Sequence, residues 1–269
     1  MFGSTGRKFT WLRLSAILVT CLALGVVAAA GKRKTPPPPT GLPEQIKALA
    51  TQLYGVMLED AGPTLSQIQK LVIDHMTEWM ANRTPTDVEA RRELENVFSL
   101  LHYPLEGQPA TFADPWKGQM VVGAGYTLGW TAYDRQNVLA VFTSNHGHSR
   151  LATVVDPIPR IDIHYEVLPQ LAWDDFRFFF YGFRPGKSQP RLSVVLYSFD
   201  GQNLKPLWQT QDVYDGKIEF QKDKFIVRYL NEAEYIHAQE QNRNPSRHMA
   251  TYQLTSTGAQ LVDDHEIPF

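Results

Sequence analysis

Phe176-Arg177-Phe178-Phe179-Phe180-Tyr181 decides the fold. In an extended chain, side chains alternate between two faces, and here both faces are apolar or aromatic except at Arg177. A strand with no polar face has to be covered on both sides, so this one is expected at the centre of a buried sheet. Flanking it, Ile161 to Leu168 and Leu192 to Phe199 show the same extended, β-branched and aromatic character.

The same signal extends in both directions along the chain. After Asp114-Pro115-Trp116 the apolar period becomes two, with turn residues recurring between short runs. Strands are expected at Val121-Val122, Tyr126 to Tyr133, Val138 to Thr143, Phe176 to Phe183, Lys224 to Leu230 and Met249 to Leu254. Two stretches look alike: Tyr197-Ser198-Phe199-Asp200-Gly201 leading to Leu204, and Tyr252-Gln253-Leu254 reaching Gly258 and Leu261. Each reads as a strand, a glycine turn and a return strand. With Tyr133-Asp134-Arg135-Gln136, these hairpins resemble blades of β-propeller proteins, in irregular repeats too few to close a ring of about four to eight.

Before the strands the period is helical. Ile46, Leu49, Leu53, Val56 and Met57 form one stripe between Pro43 and Asp60, where Gly62-Pro63 is expected to break the helix. Thr64 with Gln67 reads as a capping box for a second helix carrying Leu65, Ile68, Leu71, Val72, Met76, Trp79 and Met80. Thr86 with Glu89 caps a third, with Leu94, Val97, Phe98 and Leu101. His75 lies beside the second apolar stripe and has no second ligand one turn away, so it reads as structural. The expected fold is α+β: about three N-terminal helices, then a predominantly antiparallel β-meander with propeller-blade-like hairpins.

The chain outside that body reads as targeting and spacer. Arg7, Lys8 and Arg13 precede an apolar run from Ser15 to Val27, and Ala28-Ala29-Ala30 offers a small-residue cleavage site. Leu14 to Gly31 carries no charge and is close to the roughly 17 residues that can span a bilayer, so an uncleaved anchor is the rival reading. Leu18-Val19-Thr20-Cys21 superficially resembles a lipobox, but Thr20 and the continuing run Leu22-Ala23-Leu24 depart from the pattern. Pro36 to Pro39 form a semi-rigid polyproline spacer. The expected divisions are 1–30 signal peptide or anchor, 31–42 basic, proline-rich linker, 43–104 helical segment and 105–269 β-rich domain. The expected location is periplasmic or extracellular, with membrane contact only through the N-terminal segment.

Charge and cysteine content exclude several functions. Six of the 26 lysines and arginines lie in the first 40 residues, which hold no acid, leaving 20 against 28 acids beyond them, a net of −8. Such a body lacks the cationic footprint that phosphate backbones require, so no nucleic-acid partner is expected. Cys21 is the only cysteine and lies in the apolar run, which removes disulfides and thiolate catalysis from the body.

Motifs for chemistry are weak. Gly123-Ala124-Gly125 after Met120-Val121-Val122 departs from dinucleotide-loop spacing and reads as a glycine-rich hairpin. His146-Gly147-His148 sits in a polar loop and, with His164, is the candidate metal set: His146, His148 and His164. The competing reading is a surface turn built on Asn145 and Gly147. Asp162, His164 and Glu166 share one strand face, as a metal half-site or simply a solvent face. Asp263-Asp264-His265-Glu266 reads as a solvated acidic tail. There is no Gly-x-Ser-x-Gly and no His-Glu-x-x-His.

The leading expectation is therefore an exported, non-enzymatic binding module for an envelope macromolecule or glycan, without a cofactor. Trp116, Trp130, Trp173 and Trp208 are its candidate contacts. The alternative is a carrier of an apolar ligand between helices and sheet, lined by Phe178, Phe180 and Phe183. A metal-dependent hydrolase is third.

Overall fold

The structure is a computed structural model that describes residues 41–57, 60–101, 105–131, 134–158, 162–169, 173–184 and 190–267. The expected leader, cleavage site and proline spacer lie outside these residues. Among the described residues, no helix is long and apolar enough to cross a membrane.

Among the described residues three helices come first: α1 (Leu42–Gln52), α2 (Gly62–Met80) and α3 (Asp87–Phe98). The α3 cap forms as its sequence predicts. Glu89 N–H donates to Thr86 Oγ1 at 3.3 Å, and Thr86 N–H donates to the Glu89 carboxylate at 2.8 Å. The α2 start differs from expectation. Gly62-Pro63, expected to break the first helix, opens the second with no side-chain cap, and the first has already ended at Gln52. Proline is tolerated in the first turn because its missing N–H would have had no intrahelical partner there. His75 is structural, its Nε2 lying 2.6 Å from the Glu93 carboxylate across α2 and α3.

Twelve strands follow in three four-stranded antiparallel sheets, each winding back and forth in chain order. The first sheet holds β1 (Glu106–Trp116), β2 (Gln119–Thr131), β3 (Asp134–Asn145) and β4 (His148–Ile158). The second holds β5 (His164–Val167), β6 (Phe176–Arg184), β7 (Arg191–Phe199) and β8 (Leu204–Tyr214). The third holds β9 (Lys217–Phe220), β10 (Lys224–Leu230), β11 (Arg247–Thr255) and β12 (Gly258–Ile267). A fourth helix, α4 (Glu232–Glu240), lies between β10 and β11. The helices are thus not all N-terminal, which corrects the expected order. The fold is mixed α+β and β-rich.

The layers follow from side-chain alternation. On β2 and β3, Val122, Ala124, Tyr126, Leu128, Val138, Ala140 and Phe142 face the helices, where they meet Ile68, Val72, Met76, Leu94 and Phe98. The opposite faces send Val121, Leu139 and Val141 against Phe176, Phe178 and Phe180 of β6 and Val195, Tyr197 and Phe199 of β7. The remaining face of β6 and β7, with Phe179, Leu192, Val194 and Leu196, packs on Phe225, Val227 and Leu254 of the third sheet. β6 is thus central and covered on both sides, as its sequence requires. The layer order is helices, first sheet, second sheet, third sheet. The sheets do not close a ring: helices cover one end, and the far face of the third sheet is polar, with Lys217, Glu219, Arg228 and Gln253.

Gly123 and Gly125 do not form a hairpin; both lie within the continuous strand β2. A Cβ at Gly123 would collide with the Phe112 ring, and one at Gly125 with the Tyr165 hydroxyl and, at 2.9 Å, the Ala110 carbonyl. Glycine at 123 leaves room for the Phe112 ring of the neighbouring strand, and glycine at 125 lets Tyr165 of the second sheet reach the first. The Tyr165 hydroxyl is buried there with no hydrogen-bond partner among the described residues, and burial pushes the phenol well above its ordinary pKa.

Arg177 joins the second and third sheets. It is 3% exposed, its Nε donates to Asp175 at 2.8 Å, and its two terminal nitrogens donate to the Thr255 and Ser256 carbonyls at 2.7 Å each. The guanidinium also lies 4.2 Å from the centre of the Trp173 ring. Burial works to raise the Asp175 carboxyl, but hydrogen bonds from Arg177 and Ser198 outweigh it and hold the group below its usual range.

Candidate functional site

The second and third sheets part at the β8 edge. β7 and β8 slip register between Leu192 and Val194 and again between Leu196 and Tyr197. Asp212 has a φ of 56°, and its N–H donates to Ser193 Oγ at 3.2 Å. Such bulges bend an edge strand and re-aim its side chains. The result is a cleft of about 390 Å³ lined by Thr210, Asp212, Tyr214, Tyr229, Asn231, Glu232 and Tyr252, among others.

Both carboxylates in the wall are paired. Asp212 meets Arg184 at 2.8 Å, and Glu232 accepts a two-pronged contact from Arg191 at 2.6 and 3.1 Å. Arg191 holds the Glu232 carboxyl below its ordinary pKa. Asn231 caps α4, its Oδ1 accepting from the N–H groups of Ala233 and Glu234 at 3.1 and 3.2 Å. The cleft therefore offers phenol, amide and hydroxyl groups in a wall whose charges are balanced.

Tyr229 connects the cleft to a second cluster. Register sets Tyr229 opposite His248, and His248 opposite Glu266, so the three lie in one row across β10, β11 and β12. The Tyr229 and His248 rings stack with centroids 5.2 Å apart. The Tyr229 hydroxyl donates to Asp264 at 3.0 Å, and the other Asp264 oxygen lies 3.5 Å from His248 Nδ1. Burial, then the Asp264 contact, pushes the Tyr229 phenol up to about 12. Glu234, in the first turn of α4, completes the group and accepts from the Ser246 N–H at 3.0 Å. That backbone hydrogen bond holds its carboxyl below the usual range. Glu234, His248 and Glu266 each bring a ligand-type atom within 4.8 Å of the others.

The histidines singled out in the sequence lie elsewhere. His146 and His148 are exposed at the β3–β4 turn, where His146 and Gly147 have φ of 49° and 82°. Two successive positive values define a type I′ hairpin turn, so these positions are explained by turn geometry. His164 is exposed on β5 of the second sheet, its ring 5.5 Å from that of Tyr181. Among the described residues, the group with metal-ligand proximity is Glu234, His248 and Glu266, and it contains none of these three. His164 and Glu166 alternate outward on β5, a solvent face.

The expected aromatic contacts are mostly interior. Trp116 is 5% exposed in the core between the first and second sheets, while Trp173 and Trp208 are half-buried against the third sheet. The Trp130 side chain lies outside the described residues. Phe178 and Phe180 are fully buried among Phe112, Tyr165 and Tyr197, and Phe183 packs toward the third sheet. Asp263 to Glu266 are not a tail: they belong to β12 and pair with β11.

The residues missed in the sequence are Tyr229, Glu234 and His248; Asp264 and Glu266 belong to the run Asp263 to Glu266, which drew the same metal suspicion as the histidines and was read instead as an acidic tail. Their proximity depends on the register of β12 on β11, shifted between Thr251 and Tyr252, and on α4, whose only local signal is the Asn231 cap. No model of a known protein family matches the chain, and a search of curated proteins finds no significant match.

Proposed function

We propose that this protein is an exported or membrane-tethered, non-enzymatic binding module whose cleft between the second and third sheets takes a glycan of the cell envelope. The observation that carries this reading is the balanced wall of the cleft. With Asp212 and Glu232 each tied to an arginine, the surface presents the rings of Tyr229 and Tyr252 beside Thr210 and Asn231, with neither acid left unpaired. Polyhydroxylated ligands suit aromatic surface beside hydroxyl and amide groups, and a volume of about 390 Å³ is in the range of small-ligand pockets. The basic, apolar and proline-rich first 40 residues support the address.

The test is a screen of the full chain against envelope glycans by saturation-transfer NMR, with a Thr210→Trp variant that fills the cleft. Binding by the parent and its loss in the blocked variant is the expected result. No bound envelope glycan, or equal binding by both proteins, would overturn the proposal.

A further inference from the structure

We infer that Glu234, His248 and Glu266 form a binding site for a divalent transition-metal ion of the zinc class. The site stands apart from whatever occupies the cleft. Its donors are one imidazole and two carboxylates, drawn from α4, β11 and β12. The imidazole selects against calcium and magnesium, which prefer all-oxygen shells, and the set matches the nitrogen and oxygen donors of zinc.

Three observations go beyond the grouping. His248 and Glu266 are direct cross-strand partners, so the pairing of β11 with β12 holds their side chains side by side. Asp264 lies 3.5 Å from His248 Nδ1 and is itself held by the Tyr229 hydroxyl at 3.0 Å. A carboxylate thus stands on the Nδ1 side of the ring at ion-pair distance, the side from which a second-shell acid orients a metal-binding imidazole, and Nε2 is the nitrogen left for the ion. Glu234 is likewise braced, by the Ser246 N–H at 3.0 Å. Zinc bonds of about 2.0–2.2 Å place neighbouring ligand atoms roughly 3.3–3.6 Å apart in a tetrahedron. From within 4.8 Å, modest rotations of the two glutamates close the set.

The site also answers a question of anchoring. α4 has nine residues and only Ala238 among them is buried, so little apolar packing fixes it to the third sheet. An ion shared by Glu234, His248 and Glu266 would tie its first turn to two strands. Glu232, on that same turn, lines the cleft, so the ion would fix that wall as well.

The test uses the full chain carrying Cys21→Ser, to remove thiolate ligation, stripped with a chelator and titrated with zinc chloride by calorimetry. Visible absorption of the cobalt(II)-loaded protein reads the coordination directly. One zinc per chain is expected, with affinity falling at least tenfold in both His248→Gln and Glu266→Gln and unchanged in the His146→Ala, His148→Ala double variant. Glu266 is exposed, so Glu266→Gln retains the fold and decides the matter if His248→Gln does not. Absence of stoichiometric zinc, zinc binding that survives Glu266→Gln, or zinc lost with His146 and His148 would overturn the site.

Discussion

The two interfaces between the sheets are built on opposite principles. Between the first and second sheets, Phe112, Tyr165, Phe176, Phe178 and Tyr197 form a network of ring contacts, and Gly123 and Gly125 let the backbone come close to it. Among the described residues, the buried Tyr165 phenol there has no hydrogen-bond partner. Between the second and third sheets, the rings of Phe179, Phe225, Trp208 and Tyr252 pack at one end only. Arg177 ties the adjoining turn through its donors, and beyond the rings the sheets part into a cleft with acids, amides and phenols. Dry packing maximises burial, whereas access to a ligand requires polar groups whose hydrogen bonds survive the loss of that packing. The first interface supplies stability and the second carries the candidate sites.

The largest expected effect tests the dry interface. Phe178→Ala removes a fully buried ring that contacts Phe112, Tyr165, Phe176 and Tyr197. It should lower stability by about 3–5 kcal/mol in urea denaturation. A loss under about 1 kcal/mol would mean the interface is not packed as described.

Next, Arg177→Lys retains the charge but cannot reach Asp175, Thr255 and Ser256 together. A cost of about 2 kcal/mol is expected, since hydrogen bonds to a charged group are the stronger kind. Amide exchange should rise first at the β11–β12 turn, where the two carbonyls lose their donor. Uniform change across all three sheets would argue against a local tether.

A smaller effect of opposite sign is expected at Tyr165. Removing a buried hydroxyl that has no partner relieves its desolvation, so Tyr165→Phe should stabilise the protein by about 1 kcal/mol. Destabilisation would show that the hydroxyl is satisfied after all.

The smallest effect concerns the wet interface. Because the folded Tyr229 phenol sits at about 12 against an ordinary value of 10.0, its contribution is fully present below pH 10 and is lost as pH rises through 12. Stability measured from pH 9 to 12 should fall less steeply in Tyr229→Phe than in the parent. Identical slopes would sever Tyr229 from Asp264.

The central strands were the more legible ones, although β2 was read as two short strands about a glycine hairpin, and of the six edge strands only β5 was read as a strand in its own right. β2, β3, β6, β7, β10 and β11 carry apolar or aromatic runs because at least one face is buried, and the bounds of β10 coincide with expectation. β1, β4 and β9 were missed, and β8 and β12 were seen only as short returns after a glycine turn. These are five of the six sheet edges; the sixth, β5, was read from its alternation. Edge strands tolerate Pro109, Pro115 and Pro206, since a proline with no N–H to donate costs least there, and they carry charges such as those of Asp263 to Glu266. The two look-alike stretches around Gly201 and Gly258 prove to be equivalent hairpins, the last of the second and third sheets. Their likeness reflects equivalent positions in successive meanders.

For the candidate sites, local sequence was a poor guide. His146-Gly147-His148 looked like chemistry because two histidines one residue apart could share a metal, but the structure gives them a tight turn and brings no third ligand-type residue beside them among the described residues. Glu266 was noticed only as part of an acidic run and His248 not at all, because their juxtaposition arises from strand pairing. Counting from the Thr255–Gly258 turn sets His248 opposite His265, and it is the bulge between Thr251 and Tyr252 that places Glu266 there. α4 went unread because its apolar residues form no stripe, leaving only the Asn231 cap as a signal.

The sequence by itself determined the α+β class, the helical prefix and the doubly covered strand at Phe176 to Tyr181, because burial imposes periodicity on residues that lie close along the chain. Only the tertiary structure decided the stacking of three sheets, the parting of the last two, and which carboxylates meet His248. Those depend on register, bulges and edge pairing, where a shift of one residue turns a side chain to the other face while leaving the local pattern unchanged.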